Sequence, residues 1–231
     1  MTCLNYICSL CMLLSLAQCG DKEKGPVAVP VGFLPEATIT PTTRTIQRGD
    51  TLWLEMNCSD SLLDKNSGRR FRVRPQDFAL RSAVLFRKLL GVGQEATGTA
   101  PTFRLVEQIG RAAVQGSLSA SFGPVYDGSR YRARIGLIPT QPGVAAISLL
   151  FVPAEGTRAL GRFLPFISLP PDADGREQKA VLDDSFYVIN QGKANNFDLF
   201  AQHARAFALE PGTPAGQVIY EQQSTFTVEV K

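Results

Sequence analysis

Few residues of this chain have the types and spacing needed for catalysis. His203 is the single histidine among 231 residues, and no Gly-x-Ser-x-Gly motif occurs, so neither a catalytic triad nor a histidine-bearing zinc site is predicted. Two carboxyl groups facing each other across a cleft could still hydrolyse a glycosidic bond, because that chemistry requires no sequence spacing. No such pair stands out among the 21 acidic residues. A non-catalytic role is therefore the expectation, and a carboxylate-dependent hydrolase of envelope or dietary glycans is the alternative.

A calcium loop is the one metal site that the sequence suggests. Asp172 and Asp174 alternate before Gly175, as the first acidic ligands of such loops do. The third acid before the glycine and the bidentate glutamate five residues after it are missing. The segment follows two prolines and is interpreted as a turn, so no metal and no other cofactor is expected.

Two groups of arginines alternate along predicted strands and are candidates for binding anions. Such a basic face would suit an acidic glycan or a lipid headgroup. The competing interpretation is that exposed strand positions are commonly charged and face acids on neighbouring strands. The formal net charge of +3 is too small to indicate nucleic-acid binding. The candidates are Arg70, Arg72 and Arg74 in one strand and Arg130, Arg132 and Arg134 in another.

Trp53, the single tryptophan, is the remaining candidate binding residue. It shares a strand face with Glu55 and Asn57, opposite to the apolar face of Leu52 and Leu54. An exposed tryptophan there would offer a stacking platform for a sugar. The alternative is that a second sheet or a loop covers this face.

The N-terminus carries a signal for export. Residues 4–17 contain no charge and are followed by a hydrophilic, charged segment. A run of 14 residues is short for a membrane-spanning helix, which needs roughly 20, and suits a signal peptide. The residues Leu16-Ala17-Gln18-Cys19 resemble the lipobox of bacterial lipoproteins, which implies that Cys19 carries the lipid after cleavage before it. The alternative is a secretory signal cleaved at a nearby small residue, with Cys19 incidental.

The remaining cysteines fit this interpretation. Cys3, Cys8 and Cys11 lie inside the signal, which leaves Cys19 and Cys58 in the mature chain. Two cysteines do not make a disulfide scaffold. Cys58 falls on the same strand face as Leu52 and Leu54, so it is predicted to lie in the core.

The elements that must position these residues are mainly β-strands. Alternation with a period of two is clearest at 51–58, at 130–137 and at 225–231, and predicts half-buried antiparallel strands. Turns rich in glycine and proline separate the segments, which predicts an antiparallel β-sandwich. Further strands are predicted at 71–74, 103–107, 117–122, 144–152, 163–169, 185–189 and 218–220.

One helix is predicted at 196–209, with Asn196 as its N-terminal cap and phenylalanines near helical spacing. The domain organisation that follows is a signal peptide at 1–19, a tether at 20–33 that lifts the domain off the membrane, and a β-sandwich domain at 34–231. Whether the last part forms one large domain or two packed sandwiches stays open at this point.

Three segments resemble parts of uncharacterised exported lipoproteins of the Bacteroidota that contain an immunoglobulin-like β-sandwich. They are 48–54 (RGDTLWL), 61–64 (SLLD) and 186–190 (FYVIN), the last with Asn195 and Asn196 after it. The resemblance implies an immunoglobulin-like sandwich at the cell envelope and brings no activity and no functional residues.

The sequence thus predicts a protein held on a bacterial outer membrane or cell surface through lipid on Cys19. It is expected to be a binding or structural module, with an envelope glycan or another protein as partner and no nucleic acid.

Overall fold

The structure is a computed structural model that describes residues 25–77, 80, 82–89, 103–115, 119–151, 161–183, 185–203 and 222–231. Cys19 and the strand predicted at 218–220 lie outside these residues. The described strands are β1 (Val27–Val31), β2 (Glu36–Thr40), β3 (Thr45–Ile46), β4 (Leu52–Ser59), β5 (Ser61–Leu63), β6 (Arg70–Arg72), β7 (Ser82–Leu89), β8 (Phe103–Ile109), β9 (Arg111–Gln115), β10 (Ser119–Gly123), β11 (Val125–Tyr126), β12 (Arg130–Pro139), β13 (Gly143–Phe151), β14 (Gln178–Leu182), β15 (Val188–Ile189) and β16 (Thr225–Val230).

Two sheets make up the body of the fold. Sheet I has the strand order β3-β16-β13-β7-β10-β9, and sheet II has the order β11-β12-β4-β2-β15, with β8 also paired to β12. Most pairs are antiparallel, while β1 with β14, β2 with β15 and β3 with β16 are parallel. The predicted mainly β, sandwich-like fold is confirmed, and the sheets are mixed rather than wholly antiparallel.

The core lies between the two sheets and follows the alternation seen in the sequence. Leu52, Leu54 and Met56 of β4 are buried, and so are alternate residues of β12. Alternation places these side chains on one face of each strand, so that two strands in register present one apolar surface. Cys58, on the same face, is half-buried and packs against this core, as predicted. In β16 both faces are buried over Thr225 to Val228, so the half-buried strand predicted at 225–231 is wrong in its burial.

The chain passes twice from one sheet to the other at the same edge of the sandwich. Gly110 joins β8 of sheet II to β9 of sheet I, and Pro124 joins β10 back to β11. Gly110 has φ of +87°, and a Cβ there would lie 2.8 Å from the carbonyl oxygen of Gly123. The corner therefore requires a residue without a side chain.

A short helix, α1 (Phe197–His203), covers part of the outer face of sheet I. Phe200 is buried there with Ala146 of β13 and Leu89 of β7. The helix predicted from residue 196 is confirmed as far as His203, beyond which the chain is not among the described residues. Asn196 precedes the helix, and its backbone carbonyl oxygen accepts from the N–H groups of Leu199 and Phe200, while its side-chain Nδ2 donates to the carbonyl oxygens of Thr43 and Thr227.

Three asparagines, Asn190, Asn195 and Asn196, form a cluster that ties both sheets together. Asn190 bonds to the N–H and the C=O of Ile39 in sheet II through its side-chain amide. Asn195 is fully buried and donates to the carbonyl oxygens of Ile189, Gln222 and Gln223. Asn196 bonds to sheet I as described above. The cluster satisfies backbone groups where the ladders end.

Two further sequence predictions are wrong. Residues 163–169 do not form a strand: Phe163 makes one isolated bridge to Val181, and residues 165–166 form a turn. The tether predicted at 20–33 is too long, because Val27–Val31 pairs with β14 and Phe33 is fully buried. Prolines within both segments made the sequence ambiguous, since proline lacks the N–H of a central strand but is tolerated in an edge strand.

Among the described residues, no helix has the length and apolar character needed to span a bilayer.

Candidate functional site

The outer face of sheet II is the surface that carries most of the candidate residues. In the antiparallel pairing of β4 with β12, Trp53 lies opposite Gly136, Glu55 opposite Arg134, and Asn57 opposite Arg132. The predicted outward positions of both strands therefore form one continuous face. The residues of this outer face that matter below are Trp53, Glu55, Asn57, Arg130, Arg132, Arg134 and Gly136.

Trp53 is half-buried on the outer face, and its ring is covered. The guanidinium carbon of Arg134 lies 4.4 Å from the ring centroid, a cation–π contact. A Cβ at Gly136 would lie 3.3 Å from Trp53 Cζ3, so the ring packs beside the bare backbone of the opposite residue. A sugar platform needs an open ring face, which the Arg134 contact occupies. The covering group is this arginine rather than the second sheet or a loop.

The three arginines of β12 each have a partner on the same face. Arg130 donates from Nε to Asn57 Oδ1 at 2.7 Å and from Nη2 to the Asn57 carbonyl oxygen at 2.6 Å. Arg132 pairs with Asp127 at 2.9 Å and Arg134 with Glu55 at 3.1 Å. The charges of Arg132 and Arg134 are thus balanced by acids on the same face, whereas the partner of Arg130 is a neutral amide. Pairs as exposed as these contribute little stability, about 0–1 kcal/mol, so they remain able to exchange partners.

Two of the three arginines at β6 also have partners for their side chains. Arg70 donates to the carbonyl oxygen of Ser61 at 2.8 Å. Arg72 Nε donates to Asp60 Oδ2 at 2.8 Å. Arg74 is half-buried, and its backbone N–H donates to Asp77 at 3.3 Å. The geometry is that of arginines facing acids and carbonyl groups, as in the competing interpretation of the sequence.

Asp60 links the two groups of arginines. Its side chain is almost wholly buried and accepts from Arg72 and from the Tyr126 hydroxyl, the latter at 2.9 Å. Tyr126 lies next to Asp127, the partner of Arg132. Desolvation raises the pKa of Asp60, but the hydrogen bonds from Arg72 and Tyr126 outweigh it and hold that pKa below its ordinary value. The carboxylate is therefore a fixed anion that joins β6 to β11.

A second buried acid, Asp64, has the same structural character. Its Oδ1 accepts from the N–H groups of Gly32 at 2.8 Å and Asn66 at 3.2 Å, and its Oδ2 from the N–H of Ser67 at 3.0 Å. These bonds hold the 64–68 turn against the chain that follows β1. Its lone pairs are used in supporting backbone rather than directed at an open cleft.

The other sequence candidates lie apart from the outer face. Asp172 accepts from the N–H of Asp174 and from Arg176 at 3.0 and 2.8 Å, which confirms the predicted turn. His203 is half-buried in the last turn of α1. The described residues contain no group of three or more histidine, cysteine or acidic side chains placed to hold a metal ion.

Sequence reasoning missed two apolar residues of the outer face. Ile109 pairs with Arg134, and Val125 pairs with Arg132, which places both on the arginine side of the sheet. Their exposed fractions are 43% and 51%. The sequence shows no alternation that would identify them, because β11 has only two residues and a bulge displaces the register of β8 beside Arg134.

Comparisons with known proteins leave the family open. No protein-family model matches the chain, and no curated protein matches its sequence. Two crystal structures of the human F-spondin reeler domain align with it at 8% identity (55% of this chain, 81% of that chain, TM-score 0.30) and at 7% identity (71% and 90%, TM-score 0.32). The Reelin-N domain of F-spondin aligns at 9% identity (76% and 92%, TM-score 0.31). Similarity at this level does not establish a shared family or function.

Proposed function

We propose that the protein is a lipid-anchored component of a bacterial cell envelope that acts as a non-catalytic binding or structural module. The observation that carries the proposal is the uncharged run at 4–17 followed by Cys19, eight residues before the first strand at Val27. Cleavage before Cys19 would leave every described strand intact. Two or more acyl chains on the new N-terminus would hold the domain stably on its membrane, as each buried methylene contributes about 0.8 kcal/mol.

The buried acids favour a module over a hydrolase. A general acid for glycoside hydrolysis needs a raised pKa. Asp60 instead has a lowered pKa because Arg72 and Tyr126 donate to it, and Asp64 accepts three backbone N–H groups. Both carboxylates accept hydrogen bonds that hold the fold together, and either one would lose these bonds if it acted as a catalytic proton donor.

The outer face of sheet II is the proposed contact surface for an envelope glycan or protein. It combines three arginines with the exposed Ile109 and Val125, and Trp53 joins it once a partner displaces Arg134 from its ring. Tryptophan and arginine are the residue types that contribute most often to binding energy at protein interfaces. Because the arginines have exposed, weak ion pairs, an incoming carboxylate could replace Asp127 or Glu55 at small cost.

Palmitate labelling tests the anchor. Wild-type protein and a Cys19→Ala variant are expressed in a bacterial host fed with labelled palmitate and then fractionated. The wild type should carry label and sediment with membranes, and the variant should do neither. An unlabelled, soluble wild type would refute the anchor.

Binding to an acidic glycan is tested on immobilised polygalacturonate with the Cys19→Ala protein. Arg132→Ala removes an exposed cation of the outer face, and Arg44→Ala is the matched control, because Arg44 pairs with Asp198 of α1 instead. Retention that falls only in Arg132→Ala supports a glycan partner. Equal retention of the three proteins argues for a protein partner instead.

A further inference from the structure

The segment 163–171, named here the 163–171 loop, is an uncharged surface loop. Its sequence, FLPFISLPP, holds no ionisable side chain. Leu164 and Ile167 are buried, while Phe166 and Leu169 are half-buried against the core. Phe163 is 48% exposed, and the prolines at 165, 170 and 171 are exposed as well. Exposed apolar patches can mark protein or membrane contacts, and Phe163 with the three prolines is the exposed apolar stretch of this loop.

The hydrogen bonds place the loop at one end of the sandwich. Gly161 N–H donates to the Leu182 carbonyl at 2.7 Å, and Leu164 N–H donates to the Ala180 carbonyl at 2.9 Å. The chain thus runs antiparallel to β14, toward Gln178. On the other side of β14, β1 runs parallel, with Val27 level with Gln178. Residues after Leu164 therefore lie toward the end where Val27 enters the sandwich. Phe163 itself bridges Val181, which pairs with Pro30, but its ring lies near Lys179, which pairs with Ala28, one residue from Val27.

The chain length before Val27 fixes how far this end can be from a lipid on Cys19. Eight residues span at most about 28 Å when fully extended. The Val27 N–H donates to the Glu177 carbonyl at 2.8 Å, so the turn that follows the 163–171 loop lies directly beside the start of β1. A lipid on Cys19 would hold this end of the domain within that span of the bilayer.

We propose that the 163–171 loop rests on the lipid bilayer, with Phe163 in the interfacial region. This inference rests on the proposed lipid anchor. Lys179 Nζ lies 5.8 Å from the centroid of the Phe163 ring, which suits a basic side chain that extends to the headgroups while the aromatic ring enters the apolar boundary. The contact adds apolar area to the anchor and gives the domain a defined orientation.

The charges around the loop indicate that the contact is apolar rather than electrostatic. Arg176 pairs with Asp172 at 2.8 Å and with Asp174 at 3.3 Å, and Lys179 lies 3.8 Å from Glu177. These pairs leave no large excess of positive charge for anionic lipids. The loop should therefore contact vesicles of zwitterionic lipid.

The orientation places Trp53 on the far side of the domain. The parallel pairing of β1 with β14 continues through Phe33 and Pro35, which accept from the N–H groups of Phe186 and Val188, and on to β2 with β15. The chain thus moves steadily away from Val27. Trp53 pairs with Thr40 at the end of β2, so the native tryptophan is a built-in control for a probe in the loop.

The test uses the lipidated full chain in vesicles of plain or brominated phosphatidylcholine, since bromine in the acyl chains quenches nearby tryptophan. A Phe163→Trp/Trp53→Phe variant has its only tryptophan in the loop, and the wild type has its only tryptophan at position 53. We expect bromine to lower the emission of the variant's loop tryptophan and to leave that of Trp53 in the wild type nearly unchanged. As a second probe, Ser168→Cys in a Cys58→Ala background is labelled with an environment-sensitive dye, whose emission should shift to the blue on vesicle binding.

Each result has a separate meaning. If the protein carries lipid and binds vesicles, but neither the loop tryptophan nor the dye responds, the loop contact is refuted while the anchor stands. If the protein carries no lipid, the anchor itself fails. A loop response that requires anionic lipid would overturn the apolar nature of the contact.

Discussion

The corner at Gly110 provides a quantitative test of the architecture. We expect Gly110→Ala to destabilise the protein through two separate effects. The first is conformational, because φ is +87° and a residue with a Cβ in the left-handed region costs about 1–2 kcal/mol. The second is steric, because the new Cβ would lie 2.8 Å from the carbonyl oxygen of Gly123 and 3.3 Å from Ala133 Cβ.

A matched glycine separates the two effects. Gly49 has φ of +97° and no atom within 4 Å of a Cβ built on it, so Gly49→Ala should cost only the conformational 1–2 kcal/mol, to within about 0.5 kcal/mol. The clash at Gly110 is with backbone, which no side-chain rotation relieves, and overpacking of this kind costs about 1–3 kcal/mol. The expected total for Gly110→Ala is therefore about 2–5 kcal/mol.

Equilibrium unfolding in urea, followed by Trp53 fluorescence, measures both variants. Trp53 is a suitable reporter because unfolding removes its contact with Arg134. Equal losses of unfolding free energy in Gly110→Ala and Gly49→Ala would refute the close approach of the two crossing segments and the corner described here.

Three further predictions concern buried polar groups. Asp60→Asn should lower the free energy of unfolding strongly near pH 7 and only weakly below about pH 4. The reason is that the folded pKa of Asp60 is lowered, so the carboxylate stabilises the fold above its unfolded pKa, and this contribution is lost as the pH falls through the folded pKa. A loss that does not change with pH in urea unfolding would contradict this. Asn195→Ala should lower the free energy of unfolding by about 2–4 kcal/mol, because three carbonyl groups lose a buried donor. The control Asn66→Ala, at an exposed turn, should lower it by less than about 1 kcal/mol. Similar unfolding midpoints for the two variants would argue against the asparagine cluster. Cys58, whose pKa burial raises to about 12, should react slowly with iodoacetamide in the folded protein and rapidly in urea, and fast alkylation of the native protein would show that the thiol is accessible.

The parts of the fold that the sequence predicted are those where one strand face is apolar and the other polar. β4, β12 and β16 are readable as strands because Leu52, Tyr131 and Phe226 begin clear alternations, and alternation indicates burial of one face. In β16 the polar face, with Thr225 and Thr227, is buried as well, which alternation does not reveal. The 163–169 segment failed because its buried residues, Leu164 and Ile167, are three apart, which suits a turn. The sequence correctly indicates an apolar segment, but the strand prediction overlooks that its buried residues have the spacing of a turn.

The candidate site was less predictable because its contacts depend on register. Trp53, Arg130, Arg132 and Arg134 were each assigned to an outward strand face from the alternation alone. That Arg134 covers Trp53, and that Gly136 leaves room for the ring, follows from the pairing of β4 with β12, which no local pattern encodes. The edge residue Ile109 was missed for the same reason.

The parallel pairs at the edges of the sandwich also bear on when the protein can fold. β1 pairs with β14, which lies about 150 residues later in the chain, and β3 pairs with β16 near the other end of the described chain. β16 is also an interior strand of sheet I, between β3 and β13. Pairings so distant in sequence make folding slow, because long loops must close before the contacts form. β1 and β3 therefore emerge from the ribosome well before their partners, so these edges of the sandwich can close only after the last strands have been synthesised.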